Sequence, residues 1–122
     1  MAEAFIYDHV RTPRGRGKSD GALHEVTALA LATAPLKALK ERNNLAVNSV
    51  DDVILGVVDP IGEAGGDIAR FAAMKAGLGT AVPGIQVSRF CASGLEAVNF
   101  AAAQVISGQH ELTIGGGAES MS

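Results

Sequence analysis

Residues 88–108 read Ser-Arg-Phe-Cys-Ala-Ser-Gly-Leu-Glu-Ala-Val-Asn-Phe-Ala-Ala-Ala-Gln-Val-Ile-Ser-Gly, and the fold of the remaining chain is interpreted around them. They contain Cys91, the only cysteine among 122 residues. Ser93 followed by Glu96 has the pattern of a capping box, which predicts a helix that begins near Ser93. Cys91 is then expected at the mouth of this helix, where unpaired N–H groups and the helix dipole favour a thiolate and an oxyanion.

Two interpretations of Cys91 follow from the residues alone. A free cysteine is most often a small, inert residue of the core. Against that, Arg89 is close enough in sequence to favour a thiolate, and Gly94 leaves the start of the helix open to a ligand. A hydrolase-type nucleophile elbow is not supported, because Arg89 and Ser93 stand where that motif has glycines.

The composition bounds the class of protein. With 48% hydrophobic residues and a net charge of -3, the chain has enough apolar material for one core and no excess of positive charge. We therefore expect no nucleic-acid partner and no membrane partner. A single cysteine excludes an internal disulfide, which favours a cytoplasmic location.

The order of elements predicts an α/β fold. The predicted elements are a strand at 4–7, a helix at 23–42 with Pro35 inside it, a strand at 51–58, a helix at 68–76, a strand at 82–88, the helix after Cys91 and a strand from 112. A strand, a long helix and a second strand suggest a parallel crossover. In the helix after Cys91 we expect one apolar face, packed deep in the protein and approached closely by its neighbours. Its residues are Leu95, Val98, Ala102, Val105 and Ile106.

Three other patterns carry less weight. Residues 11–18 form a basic loop, but Thr12 stands where a Walker A motif needs glycine, so a P-loop is a minor alternative to a solvated loop or one that meets an anionic cofactor tail. The acidic residues of the loop 59–67 do not follow the calcium-loop register, so no metal site is predicted. Ser120 stands where a dinucleotide fingerprint needs its third glycine.

Five segments in series resemble the thiolase family of acetyl-CoA acyltransferases. Residues 88–98 and 115–122 are similar to two family signatures, and 11–13, 53–56 and 62–65 resemble the pattern around them. Ser88 departs from the family pattern, which usually has asparagine there. The resemblance implies the amino-terminal half of a thiolase-like fold, a mixed sheet flanked by helices. It further implies that residues 1–122 are an incomplete N-terminal domain, without the CoA-loop region and the C-terminal domain.

The resemblance also implies a reaction. Cys91 would be the nucleophile that takes an acyl group from an acyl-CoA, and its own backbone N–H would help to hold the oxyanion. The reaction is either thiolytic cleavage of a 3-ketoacyl-CoA or condensation of two acetyl-CoA molecules. The substrates are coenzyme A thioesters, and the family implies no metal and no bound cofactor.

The family also has groups that this sequence lacks. They are a histidine in a Gly-His-Pro context and a second cysteine, and none of His9, His24 and His110 has that context. We therefore expect a fragment or one piece of a split enzyme, inactive alone in the sense that it cannot complete turnover. It would associate as a homodimer, a homotetramer or with a complementary C-terminal chain. A non-catalytic thiolase-like interaction module remains the alternative.

Overall fold

A computed structural model describes residues 2–122 of the chain. It contains helices α1 (Ala28–Arg42), α2 (Ile68–Lys75) and α3 (Ser93–Ile106), strands β1 (Asp52–Gly56), β2 (Gly84–Val87) and β3 (Thr113–Gly117), and a short 3-10 turn at Gly62–Gly65. The strands form one sheet in the order β2-β1-β3, and both pairings are parallel. The α/β fold is therefore confirmed, but the parallel crossovers join β1 to β2 and β2 to β3, and the one predicted from a strand at 4–7 through α1 does not form.

The side chains of central strand β1 separate the two faces of the sheet. Val53 and Leu55 belong to the main core, together with residues of α1 and α2, whereas Ile54 packs against α3. Successive residues of a strand point to opposite faces, so this division places α1 and α2 on one side and α3 on the other. Cys91, just before α3, is thus carried on the opposite side of the sheet from the main core.

Helix α1 is shorter at its start than predicted. Turns occupy much of 18–25, and the helix begins after Thr27, whose hydroxyl accepts a hydrogen bond from the N–H of Ala30 at 3.2 Å. The helix runs through Pro35 to Arg42 without interruption. Within residues 2–122, every helix falls short of the length and apolar character that a membrane crossing requires.

The predicted strand at 4–7 is wrong, because no described segment pairs with it. Phe5, Ile6 and Tyr7 are exposed, and a single strand leaves its backbone groups without partners. Asp8 then ties the chain to the end of α1, since Arg42 and Asn43 donate hydrogen bonds to it at 3.0 Å and 2.8 Å. The Asn43 hydrogen bond is the main cause of a lowered pKa at Asp8. The antiparallel strand that a mixed sheet would contain is not among the strands at 2–122.

Helix α3 turns a different face to the sheet from the one predicted. Its buried residues are Ser93, Ala97, Ala101 and Gln104, whereas Leu95 is 66% exposed, Ile106 48% and Val98 38%. The cause is the closeness of helix and sheet: a Cβ placed on Gly115 would lie 2.6 Å from the carbonyl oxygen of Ala97. Only small side chains fit at such a contact. The predicted close approach is confirmed, but the predicted burial of the larger apolar residues is wrong.

Candidate active site around Cys91

Cys91 lies in a tight turn between β2 and α3, and it is exposed. The interpretation of Cys91 as a buried core residue is therefore wrong. The thiol borders a cavity of about 390 Å³, whose walls are residues of the turn, Gly56 and Val58 at the end of β1, and residues 117–119 at the end of β3. The carboxyl ends of parallel strands are the usual place for a ligand in open α/β sheets.

The turn before α3 is held by its own hydrogen bonds. The N–H of Ala92 donates to the carbonyl of Arg89, and the N–H of Ser93 donates to the carbonyl of Phe90, both at 3.1 Å. Phe90 has a φ of 51°, in the left-handed region that aromatic residues rarely adopt. Cys91 thus follows directly after a residue of unusual backbone conformation.

The predicted capping box does not form, although the helix begins at Ser93 as expected. Ala92 occupies the cap position without a side-chain hydrogen bond. The Ser93 hydroxyl instead accepts from the N–H of Arg89 at 2.8 Å and donates to the carbonyl of Phe90 at 2.6 Å. Glu96 forms an ion pair with Arg89, whose Nε lies 3.2 Å from its carboxylate. The Arg89 charge that was expected to favour a thiolate is therefore paired with a carboxylate.

Backbone donors at the turn are free to meet a ligand. Within residues 2–122, the Cys91 N–H donates to no acceptor of the protein. A Cβ added at Gly94 would meet no atom within 4 Å, so the start of α3 is open as predicted. The N–H of the cysteine and the first turn of the helix can together stabilise negative charge on an oxygen beside the thiol.

Glu119 shapes the opposite wall of the cavity. Its carboxylate accepts hydrogen bonds from the N–H groups of Val58 and Asp59 at 2.8 Å and 3.2 Å, and the N–H of Ala118 donates to the carbonyl of Gly56 at 3.1 Å. These bonds join the segment after β3 to the segment after β1. Glu119 was not predicted from the sequence, although its position just after the glycines that end a strand was a usable signal.

Comparisons with known proteins give the family of the chain. The family model described as "Thiolase, N-terminal domain" matches residues 4–122. The chain belongs to the thiolase family. This thiolase chain is 47% identical, over its whole length, to the 3-oxoadipyl-CoA/3-oxo-5,6-dehydrosuberyl-CoA thiolase of Escherichia coli K12, of which it covers 30%. It is 38% identical, again over its whole length, to the steroid 3-ketoacyl-CoA thiolase FadA6 of Mycobacterium tuberculosis, of which it also covers 30%.

A solved structure gives the same result for the fold. The crystal structure of the Bacillus anthracis acetyl-CoA acetyltransferase superposes with a TM-score of 0.72 at 36% identity, over 80% of this chain and 24% of that chain. The thiolase chain spans about 30% of the length of the two curated relatives named above.

The acidic residues and histidines that were considered from the sequence do not form a second site. No group of three or more metal-binding side chains occurs in residues 2–122. Glu63 accepts a hydrogen bond from the N–H of Leu29 at 3.1 Å and so caps α1. Asp67 begins α2, and burial raises its pKa. Among the described residues, no histidine lines the Cys91 cavity.

The basic loop of this thiolase chain does not form a P-loop. Arg11, Arg14, Arg16 and Lys18 are exposed, and the side chain of Arg16 pairs with Asp20 at 2.9 Å. Turns follow Lys18, whereas a phosphate-binding lysine of a P-loop is followed directly by a helix. The interpretation as a solvated loop agrees with this exposure.

Proposed function

We propose that this chain is the N-terminal domain of an acyl-CoA acyltransferase of the thiolase type, in which Cys91 carries the acyl group as a thioester. The observation that supports the proposal most directly is the exposed thiol beside an unpaired backbone N–H, at a cavity bounded by the ends of β1 and β3. A nucleophile and an oxyanion donor on one residue suit attack on a thioester or ketone carbonyl.

The proposed reaction uses Cys91 in the same way in both directions. In cleavage, Sγ bonds to the keto carbon of a 3-ketoacyl-CoA, the adjacent carbon–carbon bond breaks, and acetyl-CoA leaves as its enolate, which then takes a proton. Free CoA accepts the acyl group from Sγ in the second step. In condensation, the enolate of acetyl-CoA attacks the acetylated cysteine instead. Exchange between thioesters is nearly balanced in energy, so the acyl group stays activated on sulfur.

The proposed substrates are CoA thioesters of 3-oxo acids. The relatives are named for the 3-oxoadipyl group (also called β-ketoadipyl), the 3-oxo-5,6-dehydrosuberyl group and steroid 3-ketoacyl groups, which share the 3-oxoacyl thioester and differ in the remainder of the acyl chain. A role in β-oxidation or a related breakdown of acyl chains fits these names. The proposal includes a cytoplasmic location, assembly with copies of itself or with a C-terminal chain, and proton-transfer groups supplied from outside residues 1–122.

Acetylation of Cys91 tests the proposal. The chain is incubated with acetyl-CoA and examined by intact-mass and peptide mass spectrometry, in parallel with Cys91→Ser. We expect one acetyl group on the peptide that contains Cys91 and none on the variant. A folded wild-type chain that alkylates with iodoacetamide but takes no acetyl group would contradict the proposal and favour the non-catalytic interaction module.

A further inference from the structure

Phe90 adopts a backbone conformation that its own side chain does not explain. Its φ of 51° lies in the left-handed region, which is unfavourable for any residue with a Cβ and especially for an aromatic one. Its side chain is 78% exposed, so packing of the ring does not impose this conformation. Unusual backbone conformations persist only where surrounding contacts enforce them.

Besides the backbone bonds from Ala92 and Ser93, the side-chain contacts that hold this conformation come from one buried hydroxyl. Ser93 is only 3% exposed. Its Oγ forms one hydrogen bond before Phe90 in the chain and one at the Phe90 carbonyl, so the two bonds span the φ and ψ angles of Phe90. It accepts from the N–H of Arg89 at 2.8 Å and donates to the carbonyl of Phe90 at 2.6 Å. The Ser88 hydroxyl adds only a long hydrogen bond, 3.4 Å from the N–H of Phe90.

Ser93 itself is fixed against the sheet. A Cβ placed on Gly56 would collide with the carbonyl group of Ser93 and with the N of Gly94, so the start of α3 lies directly against the end of β1. The hydroxyl is therefore attached to a rigid part of the molecule. It can transmit that rigidity to the turn, which is otherwise exposed at Phe90 and Cys91.

We infer that Ser93 is a positioning residue for the nucleophile. Its hydroxyl holds Phe90 in the left-handed conformation, and the Phe90 conformation sets the direction of the Cys91 thiol and N–H toward the cavity. This inference rests on the proposed role of Cys91, but the conformational part can be measured separately. A displacement of about 1 Å at a reacting group can cost a factor of about 100 in rate, which is the order of effect expected here.

The experiment compares Ser93→Ala in two backgrounds. In the wild-type background, loss of the hydroxyl should move the Cα and Cβ chemical shifts of residue 90 out of the left-handed range and slow acetylation of Cys91 by at least about tenfold. In the Phe90→Gly background, the same change should slow acetylation by less than about threefold, because glycine adopts a positive φ without strain. Each rate is compared with the parent of its own background, since Phe90 also borders the cavity.

Ser107→Ala is the matched control. Ser107 stands at the other end of α3, and its hydroxyl also donates to a backbone carbonyl, that of Gln104 at 3.0 Å. This variant should leave the acetylation rate and the chemical shifts of residue 90 unchanged. Thermal unfolding of all variants separates a loss of folding from a loss of positioning.

The outcomes distinguish the inference from the proposed function. Left-handed shifts at residue 90 in Ser93→Ala, or an equal loss of rate in both backgrounds, would overturn the positioning role. If the wild-type chain is not acetylated, the proposed function fails, and the chemical shifts of residue 90 alone then decide whether Ser93 controls the turn.

Discussion

Gly56 illustrates how a single missing side chain lets the candidate site form. A methyl group there would collide with the backbone of Ser93 and Gly94, the first residues of α3. Since these atoms are backbone, they cannot move aside without displacing the helix. The glycine at the end of β1 is thus required for the contact that places the Cys91 turn beside the sheet.

We predict that Gly56→Ala destabilises the fold by about 1–3 kcal/mol, the usual effect of overpacking in a tightly packed interior. Urea unfolding followed by circular dichroism measures this change. Gly94→Ala is the control, since its added methyl group meets no atom within 4 Å and alanine favours a helix. Equal stabilities of Gly56→Ala and Gly94→Ala would argue against the close contact.

Asp51 is a second single residue with a predicted effect, here on how the stability of the fold depends on pH. The N–H groups of Leu112 and Glu111 donate to its carboxylate and hold the pKa of Asp51 below its ordinary value of 3.8. Because the folded pKa is the lower one, the stabilisation is present above pH 3.8 and is lost as the pH falls through the folded pKa. Asp51→Asn, which imitates the protonated acid, should therefore unfold at lower urea than the wild type at neutral pH.

The difference in urea midpoint between the wild type and Asp51→Asn should shrink once the pH falls below 3.8. Urea midpoints measured across this range check the expectation. Asp20→Asn, at an exposed ion pair with Arg16, should show little difference at any pH. A deficit in Asp51→Asn that stays constant down to acidic pH would contradict the assigned cause.

At the scale of elements, a buried polar contact joins α3 to β1. The Gln104 side-chain amide donates to the Asp52 carboxylate at 2.8 Å, and both residues are buried. The N–H of Val53 donates to the same carboxylate at 2.9 Å. A buried carboxylate needs such donors, so Gln104 fixes the far end of the helix that begins beside Cys91.

We predict that Gln104→Ala costs about 1.5–3 kcal/mol of unfolding free energy, the range for hydrogen bonds to charged groups. Chemical denaturation gives this value, and Gln109→Ala, at an exposed position after the helix, is the control. If Gln104→Ala were as stable as the control, the contact with Asp52 would not hold the helix.

At the scale of the whole molecule, one group of exposed apolar side chains lies on the turn and on the outer face of α3. Phe90 and Leu95 are 78% and 66% exposed, and Val98 is at 38%. Neighbouring exposed apolar groups are typical of surfaces that associate with another protein. The sheet also ends in two edge strands, β2 and β3.

We therefore expect the chain to self-associate, and Leu95→Lys to weaken that association. Sedimentation velocity over a range of concentrations measures the effect. Val47→Lys is the matched control, because Val47 is 62% exposed in the loop between α1 and β1. A sharp monomer in the wild type at high concentration, or equal effects of both variants, would contradict the expectation.

The sequence predicted elements with strong local signals well and long-range contacts poorly. The continuous apolar run of β1 and the start of α3 at Ser93 were found because both depend on neighbouring residues. The buried face of α3 was missed, since the helix approaches the sheet at glycines far away in sequence. The strand at 4–7 was predicted from its composition, but a strand also needs a partner.

For the candidate site, too, the local features were predicted and the long-range contacts were missed. Cys91 was identified from its local sequence and from the resemblance. The capping roles predicted for Ser93 and Glu96 were wrong, because the hydroxyl bonds backward to the turn and the carboxylate pairs with Arg89. Glu119 was not anticipated, because its partners Val58 and Asp59 lie about 60 residues earlier.

The bond between Glu119 and the segment after β1 has a consequence for the order of events during synthesis. Cys91 leaves the ribosome before Glu119, whose hydrogen bonds to Val58 and Asp59 complete the cavity wall. Pairing of β3 with β1 is non-local, and such contacts form slowly compared with local ones. The nascent chain therefore presents the free Cys91 thiol before the wall beside it exists, and an exposed thiol is open to oxidation during that interval.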